Sequence, residues 1–476
     1  MIHIPALRQG NPYKSLEKTT LVHHATGDPL AEVSQVTGSM IVRDLARMES
    51  ARKELQAIPS AELLARVKQA GKLFATAELP LGDGTQSFEE YLRNLSGSTG
   101  SPVVFCRRNA AKVQYVLEHI DEIIAGLTRG LDLRVLDQGH LIQDGRTVCF
   151  YPATSSLGAI LPSNSPGVHS LWVPSIALKM PLVLKPGREE PWTPYRVLQA
   201  YKAAGIPSAA LNMYPTDHGG AGEILRGCGR SLLFGDSTTT DPYKNDHRVE
   251  LHGPGYSKVV LGEDAADSWP DYIDLMVESV CANGGRSCIN ASAVWTPRHG
   301  REIAEAMAER MAKIIPRPWD DPGAQISAFA NPDIAERISG MIDGLLATPG
   351  AEDLVLKHRG TPRLHKEGRC AWLQPSVVLC ESHQHPLANK EFLFPYASVV
   401  QADQDEVLEL IGPTLVGTFI TGDEAFKQRL MATRNVERLN IGPLPTNVVS
   451  WDQPHEGNLF THLYKQRAFA MAPLKR

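Results

Sequence analysis

Hydrophobic positions along this chain change their period partway through. From Met40 to Leu79 they recur at helical spacing, with Leu45, Met48 and Leu55 before Pro59 and Leu63, Leu64, Val67 and Leu73 after it. That spacing predicts helices with one face on a core, and Ser60 with Glu62 marks the start of the second. Asn109 to Leu127 reads as a further helix, with Val113, Val116, Leu117, Ile120 and Ile124 on one face. Residues 1–35 mix proline, glycine and polar residues, and are expected to wrap a surface.

Near Arg146 the pattern turns to short continuous apolar runs: Val148 to Tyr151, Leu157 to Leu161, Leu182 to Leu184, Leu211 to Tyr214 and Leu232 to Phe234. Helix-like stretches separate them, at Val168–Met180, Pro191–Ala204 and Gly219–Leu225. Strands alternating with helices predict a parallel α/β sheet, in which ligands bind outside the carboxyl ends of the strands. That rule brings Asn164, Lys185 and the turn Gly235-Asp236-Ser237 to one mouth. A second α/β block begins near Glu250. Its strands are expected at Lys258–Leu261 and Ala291–Trp295 and its helices at Asp271–Val280 and Arg301–Ile314, with further elements at Ile334–Leu346, Ser376–Leu379, Ala397–Val400, Glu406–Ile411 and Leu415–Ile420. The expected division is 1–248 for the N-terminal helices and the first α/β block, 249–438 for the second block, and 439–476 for a tail that returns to the first block or to a neighbouring subunit.

Composition narrows the classes. With 476 residues the chain exceeds one simple core, and 42% hydrophobic with 21% charged residues describes an ordinary globular protein. A net charge of −5 gives no reason to expect nucleic acid or an anionic membrane. No apolar run approaches the roughly 18–20 residues of a membrane span, and Met1 to Pro5 leads into no secretory signal. Seven cysteines without a C-x-x-C spacing argue against a disulfide framework and for a cytoplasmic setting. The sixteen histidines show no ligand spacing, so no metal site is expected.

The chemistry gathers around Cys281-Ala282-Asn283-Gly284-Gly285-Arg286-Ser287-Cys288. A helix running into Gly-Gly and then a β-prone run presents Cys288 on a turn, where flanking N–H groups and Arg286 would favour the nucleophilic thiolate. A small apolar cysteine filling a gap is the plainer alternative. Asn164, after a strand, suits either an Asx turn or an amide N–H facing an oxyanion. Lys185 ends a strand as a solvated terminus or as a donor to ribose or phosphate. Glu250 and Glu391 stand beside apolar residues, and burial would tune either as a base.

The order of these residues carries more than any one of them. Leu161-Pro162-Ser163-Asn164, Val183-Leu184-Lys185-Pro186, Gly235, Val249-Glu250-Leu251, Gly285-Arg286-Ser287-Cys288 and Glu391-Phe392-Leu393-Phe394-Pro395 follow one another. In that order the chain resembles the aldehyde dehydrogenase superfamily over roughly residues 145–445. The resemblance implies a Rossmann-type cofactor domain, an α/β catalytic domain and a small oligomerisation arm, expected near 132–152 and in the tail. It implies Cys288 as nucleophile, Asn164 as oxyanion donor and Glu250 as general base. Lys185 and Glu391 would then bind the two riboses of NAD or NADP, with Gly235 and Ser237 near the pyrophosphate.

The chain also departs from the family pattern. Asp236-Ser237 replaces a hydroxyl-bearing pair, and an acid beside a pyrophosphate is repulsive unless it points away. Arg188 stands where NAD-specific relatives often carry glutamate, which leans the reading toward NADP. Glu250-Leu251-His252-Gly253-Pro254-Gly255 replaces Glu-Leu-Gly-Gly, and Arg286 stands in place of glutamine. The segment Pro454-His455-Glu456-Gly457-Asn458 lacks the family's Gly-rich motif. The implied activity is oxidation of an aldehyde to an acid. A CoA-acylating dehydrogenase or acyl-CoA reductase is the first alternative, and a non-catalytic binding or assembly relative the second. A small-molecule aldehyde and a homodimer or homotetramer are the expected partners.

Overall fold

The apolar runs from Leu157 to Phe234 are strands buried on both faces, whereas Val148 to Tyr151 lies in a half-buried strand. In the computed structural model, which describes residues 1–474, Leu157–Ile160, Leu182–Lys185, Leu211–Met213, Arg230–Phe234 and Val249–His252 pair in parallel. Lys475 and Arg476, the end of the expected tail, lie outside the described residues. The spatial order is 249–252, 230–234, 157–160, 182–185, 211–213. The chain thus builds outward from 157–160 on one side and then on the other. That reversal opens a crevice at the carboxyl ends of 157–160 and 230–234.

Residues 1–35 do more than wrap a surface. Ala6–Arg8 and Asn11–Tyr13 extend this first sheet in antiparallel fashion beyond Leu211–Met213. They cover backbone groups that an edge strand would leave unpaired. Three-residue strands are too short to show a period, which is why the sequence hides them. The first sheet also reaches past residue 248, because Val249–His252 is its last strand. Glu250 therefore stands on the first sheet.

The early helices include Gly38–Leu45, Met48–Gln56, Ser60–Thr76, Phe88–Thr99, Val103–Glu118 and Ile120–Thr128, the last two separated at His119. Val168–Met180, expected as a helix, is instead made of the short 3-10 helices Pro166–Leu171 and Val173–Ser175 followed by turns. Pro166 and Pro174 lack the N–H that a longer α-helix would use. Buried cations hold the layers together. Arg196, on Trp192–Ala203, donates to the carbonyls of Phe74, Gln86 and Ala77. Lys179, fully buried, lies 2.7 Å from Asp137.

The second sheet runs 351–353, 376–380, 396–401, 291–296, 257–261, 414–420, 436–441, and all but its first pairing are parallel. Val260, Trp295 and Phe419 fill one of its faces, Val259, Met276 and Met307 the other. A third sheet joins His140–Gln143 and Arg146–Pro152 to Tyr464–Gln466, all antiparallel. The tail thereby returns across more than 300 positions to the hairpin. Among the described residues no helix is long and apolar enough to cross a membrane, and all seven cysteines are free.

Candidate active site

The helix Ile273–Cys281 stops in a left-handed turn. Asn283 (φ 53°), Gly284 (φ 67°) and Gly285 (φ 67°) reverse the chain before the strand Ala291–Thr296. At Gly285 a side chain would be doubly excluded: its φ is left-handed, and a Cβ would lie 2.5 Å from the Phe394 carbonyl carbon. Asn290 fixes the turn by accepting from the Ser287 N–H and donating to the carbonyls of Ser279 and Ala282. Cys288 emerges at the junction of the two large sheets, and Ser257 Oγ donates to its carbonyl at 2.8 Å.

The surroundings hold Cys288 as a thiol. Burial raises its pKa well above the ordinary value, and the Glu456 and Glu391 carboxylates add to the effect. Arg286, expected to favour the thiolate, turns the other way. Its guanidinium donates to Ala328 O at 2.7 Å and lies 4.7 Å over the Phe329 ring. A long side chain in a tight turn follows the nearest carbonyls, and these lie under the turn.

Asn164 reaches the same turn. Its Nδ2 donates to the Arg286 carbonyl at 2.9 Å, while its Oδ1 is buried without a partner. Glu391 Oε2 accepts from the Tyr256 N–H at 2.7 Å, and burial pushes its carboxyl up to about 8. Cys288, Asn164 and Glu391 thus converge, although the sequence separates them widely.

Glu250 is engaged. His252 Nε2 lies 3.2 Å from Glu250 Oε1, and His252 Nδ1 lies 2.5 Å from Glu456 Oε2. The ring stacks on Phe234 at 4.4 Å, and its side chain is 3% exposed. Burial alone would lower the pKa of His252, but Glu456 and Glu250 outweigh it and push it up to about 10. His252 is therefore an imidazolium donating to both carboxylates. Gly457 closes over the pair, since a Cβ there would lie 2.1 Å from Glu250 Oε2.

Lys185 and Arg188 follow the strand Leu182–Lys185. Among the described residues neither has a carboxylate partner at ion-pair distance, and burial lowers the Lys185 pKa. Gly235 donates to the His252 carbonyl at 3.2 Å, and Ser237 opens a one-turn helix. Asp236 caps that turn, accepting from Thr238 Oγ1 at 2.7 Å and from the Thr239 N–H at 3.0 Å. These bonds, the Thr238 hydroxyl first, lower its pKa and aim its charge into its own turn. Two cations without carboxylate partners and an inward-turned acid at the crevice fit a dinucleotide.

The sequence reading missed His455 and Glu456, which sit beside Cys288 and His252. A histidine–acid pair in a polar loop carries no period, and its partners lie about 200 positions away.

The charge on His252 has a measurable consequence. Its folded pKa is raised, so its contribution to stability is complete below about 6.5 and is lost as pH rises through about 10. His252→Gln should destabilise the protein by about 3–5 kcal/mol at low and neutral pH, as expected for one partner removed from a buried ion pair. The gap from the parent protein should narrow toward pH 10. Thermal unfolding of both proteins across that range checks this, and a gap independent of pH would refute the imidazolium.

The Aldehyde dehydrogenase family model matches residues 12–418. A betaine aldehyde dehydrogenase from Vibrio vulnificus is 24% identical over 427 residues, covering 82% of this chain and 81% of that protein. An aminoacetaldehyde dehydrogenase from Pseudomonas aeruginosa is 27% identical over 285 residues, or 55% of this chain, and the match spans about half its length (53%). The crystal structure of the aldehyde dehydrogenase KauB from Pseudomonas aeruginosa shares the fold, with a TM-score of 0.80, 15% identity and coverage of 98% of this chain and 96% of that one. With its two parallel sheets meeting at Cys288, the chain belongs to the aldehyde dehydrogenase family of NAD(P)-dependent oxidoreductases.

Proposed function

We propose that this protein oxidises an aldehyde to a carboxylic acid through a thioester on Cys288. The observation that carries the reading is the Asn164 amide bonded to the backbone of the turn that presents Cys288. One Nδ2–H is used in that bond, leaving the second to face the oxygen of a carbonyl attacked by sulfur. The Cys288 N–H is the other donor, and two such donors stabilise the tetrahedral oxyanion more than the planar carbonyl.

Lys185 and Arg188 would hold the adenosine ribose, Gly235 and Ser237 lie toward the pyrophosphate, and Glu391 would orient the nicotinamide ribose. The bound cofactor supplies a hydride acceptor. Glu250 then serves as base for the water that releases the acid. A narrow cavity beside Glu250 is lined by Leu171, Pro174, Trp451, His455 and Gly457.

One observation favours a second reading. Glu250 is bound to His252 and covered by Gly457, which limits its reach to water. A thiol acceptor such as CoA would take the acyl group without a base at that position. Nicotinamide absorbance with a panel of aldehydes, with and without CoA, separates the two. Turnover to acid without CoA supports hydrolysis, and turnover only with CoA supports acyl transfer. Cys288→Ala should lower turnover by about 10³-fold or more in either case. Unchanged turnover would remove the covalent route.

We also favour NADP over NAD, because Arg188 is an exposed cation beside Lys185 with no carboxylate partner among the described residues. Arg188→Glu should raise KM for NADP+ about tenfold or more and leave NAD+ within about twofold, by loss of one charge-assisted contact. Equal effects on both would refute the preference. The antiparallel sheet of 140–143, 146–152 and 464–466, with Ile142 75% exposed, is read as a subunit arm. Light scattering should then find a dimer or tetramer that Ile142→Lys weakens; a monomeric parent protein would remove that reading.

A further inference from the structure

The reading of Cys288 as a nucleophile leaves one step without an agent. The thiol is protonated at rest, and the carboxylates of Glu456 and Glu391 oppose a free thiolate. Something must accept its proton. Arg286 points away, and Glu250 is bound to His252. The one side-chain nitrogen or oxygen at hydrogen-bond range of the sulfur, among the described residues, is His455 Nε2, 4.0 Å from Sγ.

We propose that His455 takes the proton from the Cys288 thiol as the sulfur attacks the aldehyde carbon. This rests on the oxidation reading above, but its central element, the His455–Cys288 pair, does not depend on which aldehyde is used. The S–H bond breaks and its proton passes to Nε2. The sulfur pair forms the S–C bond, and the carbonyl π pair moves onto oxygen, where Asn164 and the Cys288 N–H receive it. The step needs the tautomer with its proton on Nδ1. That nitrogen is buried without a partner, so nothing forces the opposite tautomer.

The loop is built to hold this ring in place. Arg438 donates to the carbonyls of Pro454 and Ser450, fixing the chain just before His455. Glu456 follows at φ 55°, a left-handed conformation uncommon for glutamate, and its carboxylate is clamped by His252. Gly457 packs on Glu250, and Asn458 caps the next helix while donating to Leu127 O. His455 is thus the free side chain in a row of anchored residues. A separation of 4.0 Å is long for S–H···N, as is usual before substrate tightens a catalytic contact.

The charged groups around the pair set its protonation. Burial, with His252 and Arg438 adding to it, lowers His455 to about 3, so the ring is neutral and able to accept. Glu456 and Glu391 discourage a standing thiolate, so the proton leaves sulfur only as the S–C bond forms.

Alkylation of Cys288 by iodoacetamide, followed by peptide mass, tests the pair without any aldehyde. In the parent protein the rate should vary less than about threefold between pH 5 and 8, because the base is neutral throughout that range. A lone thiol of raised pKa would instead react about tenfold faster per pH unit, and that profile would overturn the proposal. His455→Asn should slow alkylation near neutral pH about 10²-fold and restore the steep profile, and kcat/KM with an aldehyde should fall by a similar factor. A variant alkylated within threefold of the parent overturns the proposal. Where the variant does not fold, the parent profile alone decides. A level profile in a protein that turns over no aldehyde would retract the oxidation reading and leave the His455–Cys288 pair standing.

Discussion

A protonated His252 held between Glu250 and Glu456 is the interaction on which the geometry of the site depends. Glu250 and His252 share one strand of the first sheet, and Glu456 arrives from the C-terminal loop. The clamp fastens that loop to the carboxyl end of the sheet, beside the Gly235 turn. Two carboxylates around one imidazole would repel each other without the proton, and a buried imidazolium is unfavourable without them. The three groups stand or fall together.

From this clamp the site is assembled in opposite senses. The first sheet supplies Asn164, Lys185 and Glu250 from its carboxyl edge, where the reversal of strand order opens a crevice. The second sheet supplies Cys288 and Glu391 from turns kept close by Gly285 and by the Tyr256 N–H. The loop at 454–458 bridges the two and completes the wall around the sulfur. Family members are expected to share the sheets. The bridging loop adds a histidine and an acid to what the sheets supply.

Electrostatics in the centre run against a simple picture of an activated cysteine. Arg286 lies next in sequence but one, yet its charge is spent on carbonyls beneath the turn and on Phe329. The charges that do reach Cys288 are acidic. Such a site keeps the thiol unreactive until a carbonyl is present, and it ties reactivity to a neighbouring base instead of to a standing thiolate.

The sequence by itself determined the parts that depend on period and order. Apolar runs of strand length between helical stretches define two α/β blocks, because a buried parallel strand has no polar face to interrupt it. The ordered motifs around Asn164, Lys185, Glu250, Cys288 and Glu391 identify the family, whose model matches residues 12–418. Tertiary structure decided where side chains point. Arg286 turned from the thiol it precedes, Asp236 folded into its own turn, and Val249–His252 joined the first sheet. The short strands before residue 35 depend on partners that no local window contains. His455 reached Cys288 across 167 positions, and Glu456 reached His252 across 204. A local pattern records the backbone's periodicity. Contacts of this range are set by how the sheets pack, and they leave no trace in either neighbourhood.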